Sequence, residues 1–508
     1  MRLEVGKTIL TTAGKIKFDL AWQDSWKDEI NCDAVWVFAK YQKNNSCWKH
    51  LHLNKCSEQE FNYQNQTPPG FSTGIEVSNT PIGIWIPEQK TGAFVYRLEG
   101  QGDLEIKGIE LEWAFKQDGV KTEELKDIKV EVMAVEMVYV PEAGYYLGDP
   151  EGTAGPKNCF YRYPEQGSYF VDSEKAIEVS AEKGNLYCDQ DTKFSRDETP
   201  FVIPEEFPKG YQSFWCMKYS LSTQQYVDFL NKLERKQQQS RVMADITNDY
   251  IENYYVMTDT QEELKGQTIV VAKSGNGRDK PVKFYSYAPQ RSCNFISWAD
   301  LTAYAAWSGL RPLTELEYEK ACRGTAEPTA SEFSWGTTNI GRVQSFDGPV
   351  GSGSEKKIPQ QGLVNANFGC GIAPFEAAEK DEPDNPGFNG PVSGGLFSNS
   401  HHQGISKREN DGASFYKIME LSGNVWEKCV SAGREAGRKY IGSQGSGELD
   451  ENGFSKINDW PDREACGTGV RGGVFISPDP YYLIMSLRAF AAVENSKKGK
   501  HGGCRLAF

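Results

Sequence analysis

Ser477, Asp479 and Tyr482 stand close together near the C-terminus, inside the run RGGVFISPDPYYLIMSLRAF from Arg471 to Phe490. A hydroxyl, a carboxylate and a phenol at this spacing could form a catalytic centre. Their neighbours suggest another use. Phe475, Ile476, Tyr481, Tyr482, Leu483, Ile484 and Met485 are mixed with Ser477, Pro478, Asp479 and Pro480 in neither a helical nor a strand period. The two prolines exclude a regular central strand or helix. A bulky apolar cluster on an irregular stretch is either a buried loop or an exposed recognition surface.

Other routes to chemistry are poorly supplied. The chain has 12 cysteines but no C-x-x-C, and its five histidines are His50, His52, His401, His402 and His501. Zinc needs clustered thiolates or imidazoles, so no metal chemistry is implied, and the scattered cysteines read as free thiols. His50 and His52 share one face of an expected strand and read as a surface pair. No G-x-S-x-G, phosphate-binding loop or dinucleotide fingerprint occurs in a supporting context.

The elements that must position these residues fall into two kinds. Ile16, Phe18, Leu20 and Trp22 alternate with polar residues, and DAVWVFAKY (Asp33 to Tyr41), PIGIWIP (Pro81 to Pro87), AFVYRL (Ala93 to Leu98), LEIKGIELEWAF (Leu104 to Phe115) and IKVEVMAVEMVYV (Ile128 to Val140) follow. Such runs between Gly, Asn and Pro turns predict an all-β sandwich over residues 1–130, with Trp22, Trp26, Trp36 and Trp48 as core aromatics. Beyond residue 131, Ser222 with Gln225, Ser297 with Asp300 and Thr314 with Glu317 predict capped helices, the last two stopping at Gly309 and Gly324. Residues 325–415 and 430–465 are rich in Gly, Ser, Asn and Pro and read as long loops. The expected class is α+β, with domains at 1–130 and 131–508.

Composition sets further bounds. A formal net charge of −14 argues against a nucleic-acid partner, and Lys497, Lys498 and Lys500 read as a solvated loop. No apolar run is long enough to cross a membrane as a helix. The N-terminal MRLEVGKTILTTAGKIKF lacks the pattern of a signal peptide, so synthesis in the cytoplasm is expected.

MVYVPEAGYYLGD (Met137 to Asp149), FWCMKYSLSTQQYVDFLN (Phe214 to Asn231), ISWADLTAYAAWSGLRPLTELEYEKACRG (Ile296 to Gly324), MELSGNVWEKCVS (Met419 to Ser431), RGG (Arg471 to Gly473) and GGCRLAF (Gly502 to Phe508) occur in this order. Together they resemble the formylglycine-generating-enzyme (sulfatase-modifying factor) family, a version of the C-type lectin fold. The resemblance implies that two copper-holding cysteines should follow the Gly-Gly turn; those places hold Ser477 and Tyr482. Hydroxyls do not replace soft thiolates for Cu(I), so no oxidase activity is expected. It also implies a structural calcium with Asn424 and Glu427 as candidate ligands.

A non-enzymatic branch fits better. The chain is similar to the variable ligand-binding proteins of diversity-generating retroelements in bacteria and their phages, whose diversified stretch lies between the RGG turn and the final strand. Residues 1–130 resemble the β-domain found in front of some of them. The resemblance implies a binding surface at Val474, Phe475, Ile476, Ser477, Asp479, Tyr481, Tyr482, Leu483, Ser486 and Phe490, with Arg488, Cys504 and Leu506 as scaffold. The expected partner is a protein or cell-surface ligand, met from a phage particle or by another display route. The alternative is an enzyme of the family with a rearranged centre around Ser477, Asp479 and Tyr482.

Overall fold

A computed structural model describes residues 3–54, 82–149, 151–165, 167–189, 192–241, 257–258, 269–271, 281–343, 346–348, 354–357, 362–369, 390–399, 406–499 and 501–508. Cys56, Cys370, His401, His402 and Lys500 lie outside them. The described part is α+β, and its ten described cysteines are free thiols. None of its helices is long and apolar enough to cross a membrane.

The strand Lys15–Lys27 turns Ile16, Phe18, Leu20 and Trp22 to one side, as alternation requires, and pairs antiparallel with Gly100–Glu112. With Leu3–Val5 and Ile9–Leu10 it makes a four-stranded sheet. A second, eight-stranded sheet has Asp33–Lys43 near its middle. Asp33 to Tyr41 are all buried, the mark of a strand covered on both faces. Val35, Val37 and Ala39 meet Ile16, Phe18 and Leu20 of the first sheet. Trp36 and Phe38 face the other way, into a core with Phe94, Met137, Trp215, Phe229, Trp298 and Trp307.

The sandwich is therefore present, but the boundary expected at 130/131 is not. It falls inside the strand Ile128–Val140, which pairs with Asp33–Lys43 from Lys43↔Ile128 to Asp33↔Val138 and with Phe214–Met217 on its other edge. The sheet then continues through Leu506–Ala507 to Arg311–Pro312. One hydrogen-bonded sheet thus joins the first strands to the last. Lys218 adds a buried tie, reaching Asp33 at 3.2 Å and Glu136 at 3.1 Å.

All three capping boxes form, at Ser222, Ser297 and Thr314, and Gly309 closes its helix in the left-handed region at φ 77°. The helix Glu315–Arg323 is buried along its whole length despite carrying five charged residues. Burial of charge is tolerable only with partners in place. Glu317 takes two bonds from Arg311, at 2.9 and 2.6 Å, while Arg323 pairs with Glu319 at 2.9 Å and Glu332 at 2.7 Å. Its remaining carboxylates hold the C-terminal segment.

Several local expectations need correction. His50 is buried, its Nε2 donating to Thr91 O at 2.8 Å, because the loop at Gly447 covers it. Trp22, Trp26 and Trp36 are core, whereas Trp48 is only half-buried beside Lys129 and Lys232. Lys498 is not simply solvated: its amine meets Asp300 at 2.9 Å.

Candidate functional site

The segment after the RGG turn is held at both ends by one helix. Arg471 ends the strand Thr468–Arg471 and sends Nη1 to Glu315 Oε2 at 3.3 Å and Nη2 to Glu319 Oε2 at 3.0 Å. Arg488 reaches the same Glu315 through Nε at 2.7 Å and Nη2 at 2.9 Å, with its guanidinium 3.5 Å from the Phe160 ring centroid. Between these anchors the backbone turns at Gly472 and Gly473, with φ of 85° and 73°. A Cβ on Gly472 would lie 2.4 Å from Leu421 O, and one on Gly473 would lie 2.7 Å from Leu483 Cδ1. Glycine is therefore required at both places.

Short hydrogen bonds shape the rest of the segment. Ser477 Oγ accepts from Val474 N–H at 3.0 Å, and Asp479 Oδ1 accepts from Tyr481 N–H at 2.7 Å. The latter bond caps a 3₁₀ turn over Pro480–Leu483, which satisfies the irregularity that the two prolines impose. Asn158 donates to Tyr481 Oη at 2.9 Å, and Ser422 Oγ donates to Leu483 O at 2.8 Å.

The ten residues expected at the surface divide. Asp479 is exposed, and Ile476, Tyr481, Tyr482 and Phe490 are half-buried. Val474, Phe475, Ser477, Leu483 and Ser486 are buried, contrary to expectation. Phe475 is drawn inward by the bond from its N–H to Asn424 O, and Leu483 packs with Phe333, Trp335 and Phe368. Arg488, Cys504 and Leu506 are fully buried scaffold residues.

Three of the accessible side chains, Ile476, Tyr482 and Phe490, border a cleft of about 220 Å³ whose walls also include Trp426, Ser477 and His501. Tyr482 and Phe490 stack with centroids 6.1 Å apart, and Trp426 lies edge-on to His501 at 4.9 Å. The two places implied for the family's thiols, Ser477 and Tyr482, therefore open on one cavity. No cysteine is among the described residues lining it. Cys429 and Cys504 are buried elsewhere, and desolvation pushes both thiols well above their usual range, the opposite of an activated nucleophile.

Trp426 and His501 were not expected here. Trp426 precedes Glu427, where the neighbours along the extended chain alternate in direction, and Glu427 points in to Arg505 at 2.8 Å. That pairing also bears on calcium. Glu427 Oε1 is taken by Arg505 and by Ser220 Oγ at 3.1 Å, while Asn424 Oδ1 accepts from Val392 N at 2.8 Å and Asn367 Nδ2 at 3.1 Å. Asn424 Oδ1 and Glu427 Oε1 are spent on protein donors, and the buried Glu427 Oε2, which has no hydrogen-bond partner among the described residues, is the one carboxylate oxygen left, beside a guanidinium; a single such oxygen does not make a calcium site.

A buried Arg–Glu frame thus lies under the Gly-Gly turn, with a cleft beside it. A family model, the sulfatase-modifying factor enzyme 1-like domain, matches residues 171–508, most of the chain. The chain belongs to this family. The match begins later than the expected 131, so the strands that complete the shared sheet lie outside it. A search of curated proteins finds no match to the chain.

Proposed function

We propose that this chain is a non-catalytic binding protein that presents Ile476, Tyr482 and Phe490 at the aromatic cleft, with Asp479 and Tyr481 on the same segment, to a protein or cell-surface ligand. The fold is taken as a C-type-lectin-like version, and the kind of protein proposed is a retroelement-diversified binder of bacteria or phages, carried on a particle or displayed by another route. The supporting observation is the division of the segment: its accessible side chains stand on a backbone whose two ends are fastened to Glu315. Aromatic side chains with few rotatable bonds suit such a surface, since they give contact area at small entropic cost.

The enzymatic alternative has less support. Ser477 Oγ closes its own turn on Val474 N–H, and no histidine or carboxylate among the described residues hydrogen-bonds to it. Two experiments decide. A Cys-x-Pro-x-Arg peptide incubated with the full chain and copper should remain unoxidised; turnover above background overturns the reading. Labelled full-length protein should bind members of a panel of intact bacterial cells, and Tyr482→Ala with Phe490→Ala should lose that binding while keeping the wild-type melting temperature within a few degrees. Loss of binding only together with loss of the fold counts against a display surface.

A further inference from the structure

A second, larger cleft of about 610 Å³ lies away from the RGG turn and shares no lining residue with the first. It forms where Asp33–Lys43 and the short strand Lys49–His50 meet the chain after helix Thr223–Leu230 and the loop at Gly447 and Glu448. Lys40, His50, His52 and Asp118 precede the family match, whereas Lys232, Gly447 and Glu448 lie within it. The cavity thus exists because the N-terminal strands complete the sheet.

Its inner wall is built and fixed. Lys40 Nζ contacts Trp307 O at 2.6 Å, Gly447 O at 2.8 Å and His50 Nδ1 at 2.8 Å. His50 Nε2 donates to Thr91 O, so Nδ1 must accept. Three acceptors call for three N–H bonds, and the Trp307 ring lies 4.7 Å from the amine, which favours the ammonium although burial pulls its pKa down. Beside it, Asp118 is locked by Trp113 Nε1 at 2.7 Å, His52 N at 3.0 Å and His52 Nδ1 at 2.8 Å. His52 Nε2 has no hydrogen-bond partner among the described residues.

The lining selects against ions. Three lysines (Lys40, Lys49 and Lys232) face three carboxylates (Asp118, Glu234 and Glu448). Half are already matched: Lys232 with Glu131 at 2.5 Å, Asp118 with His52 at 2.8 Å and Glu448 with Lys456 at 2.8 Å. Counted together with Glu131 and Lys456, positive and negative groups are equal in number, so neither a phosphate nor a metal meets an excess of opposite charge, and no cluster of three metal-type ligands occurs among the described residues. What remains for a ligand includes His52 Nε2 and the exposed side chains of Lys49 and Gln117, with the half-buried Trp48 among the walls. A ligand whose groups each donate and accept, with apolar ring faces between them, fits this lining. The volume lies in the range of small-molecule sites, roughly 300–1,000 Å³.

We infer that this cleft binds a neutral saccharide of about disaccharide size. The inference does not depend on the display surface, and either can fail without the other.

Saturation-transfer NMR on the full chain tests it, with maltose, cellobiose and lactose as neutral probes and glucosamine and glucose 6-phosphate as charged comparators. At least one neutral probe should receive saturation and outcompete the charged ones. Glu448→Ala and Gln117→Ala change exposed lining residues. Loss of a hydrogen bond to a charged group, as at Glu448, should weaken binding about tenfold or more, while the remote, exposed Lys439→Ala should not. Absence of transfer to every neutral probe overturns the inference. So does binding undiminished in both lining variants, or tighter binding of a charged comparator.

Discussion

Replacing Glu315 by glutamine keeps the shape of the side chain and removes one charge, yet it should destabilise the protein severely. Glu315 receives two bonds from Arg488, at 2.7 and 2.9 Å, and one from Arg471 at 3.3 Å. Arg471 keeps Glu319 at 3.0 Å after the change. Arg488 pairs with no other carboxylate among the described residues; it retains Ser195 O at 3.0 Å and the Phe160 ring. A fully buried guanidinium left without its counter-ion costs about 3–5 kcal/mol. That is a large part of the roughly 5–15 kcal/mol that holds a typical folded protein together. Urea unfolding followed by tryptophan fluorescence should show an earlier midpoint with little change in slope. Adding Arg488→Met to Glu315→Gln removes the orphaned cation and should recover part of the loss. A single-mutant loss within about 0.5 kcal/mol, the range of ordinary surface changes, would refute the view that Glu315 carries both ends of the segment.

Neighbouring residues of the segment should behave oppositely. Leu483→Ala, in the core, should cost about 2–5 kcal/mol in the same assay, whereas exposed Asp479→Ala, which loses only a turn cap, should cost about 1 kcal/mol. Asp300 should shape the acid limb of stability: burial raises its pKa, but Lys498 and Arg241 outweigh that and hold it at about 2. Because the folded pKa lies below the unfolded value of about 3.9, the folded state binds fewer protons. About 2 kcal/mol of stability is then present above roughly pH 4 and lost as pH falls through about 2. Asp300→Asn should flatten that limb in a pH series of unfolding midpoints. A fragment spanning residues 128–508 should be insoluble or lack cooperative unfolding, because it exposes the full paired edge of Ile128–Val140 and one side of the core around Trp215; a soluble, sharply melting fragment would refute this.

What the sequence disclosed follows the range of the forces involved. Capping boxes at Ser222, Ser297 and Thr314 are contacts over three residues, and each was readable from the residues alone. Alternation from Ile16 to Trp22 fixed which side of that strand is buried. It could not say which strand pairs with Ile128–Val140, and that non-local pairing is what removes the boundary at 130/131. A usable signal did exist in DAVWVFAKY, where the near-continuous apolar run already implies cover on both faces. Within the C-terminal segment no period exists to separate inside from outside. Phe475 and Tyr482 are chemically alike there, and only the hydrogen bonds and contacts of each place one in the core and the other at the cleft.

The same irregularity would let the proposed surface on this segment change without loss of the fold. Its fixed points are Arg471 and Arg488 on Glu315, the two positive-φ glycines, the inward Phe475 and Leu483, and main-chain bonds such as Leu483 O with Ser422. Among the accessible residues, Ile476, Tyr482 and Phe490 contribute no side-chain hydrogen bond to that frame among the described interactions, and Asp479 contributes only a local cap. Tyr481 is the exception, since its hydroxyl is held by Asn158. Substitution at the first four positions should therefore alter what the segment presents, whereas substitution at Tyr481 should also loosen the turn that presents it.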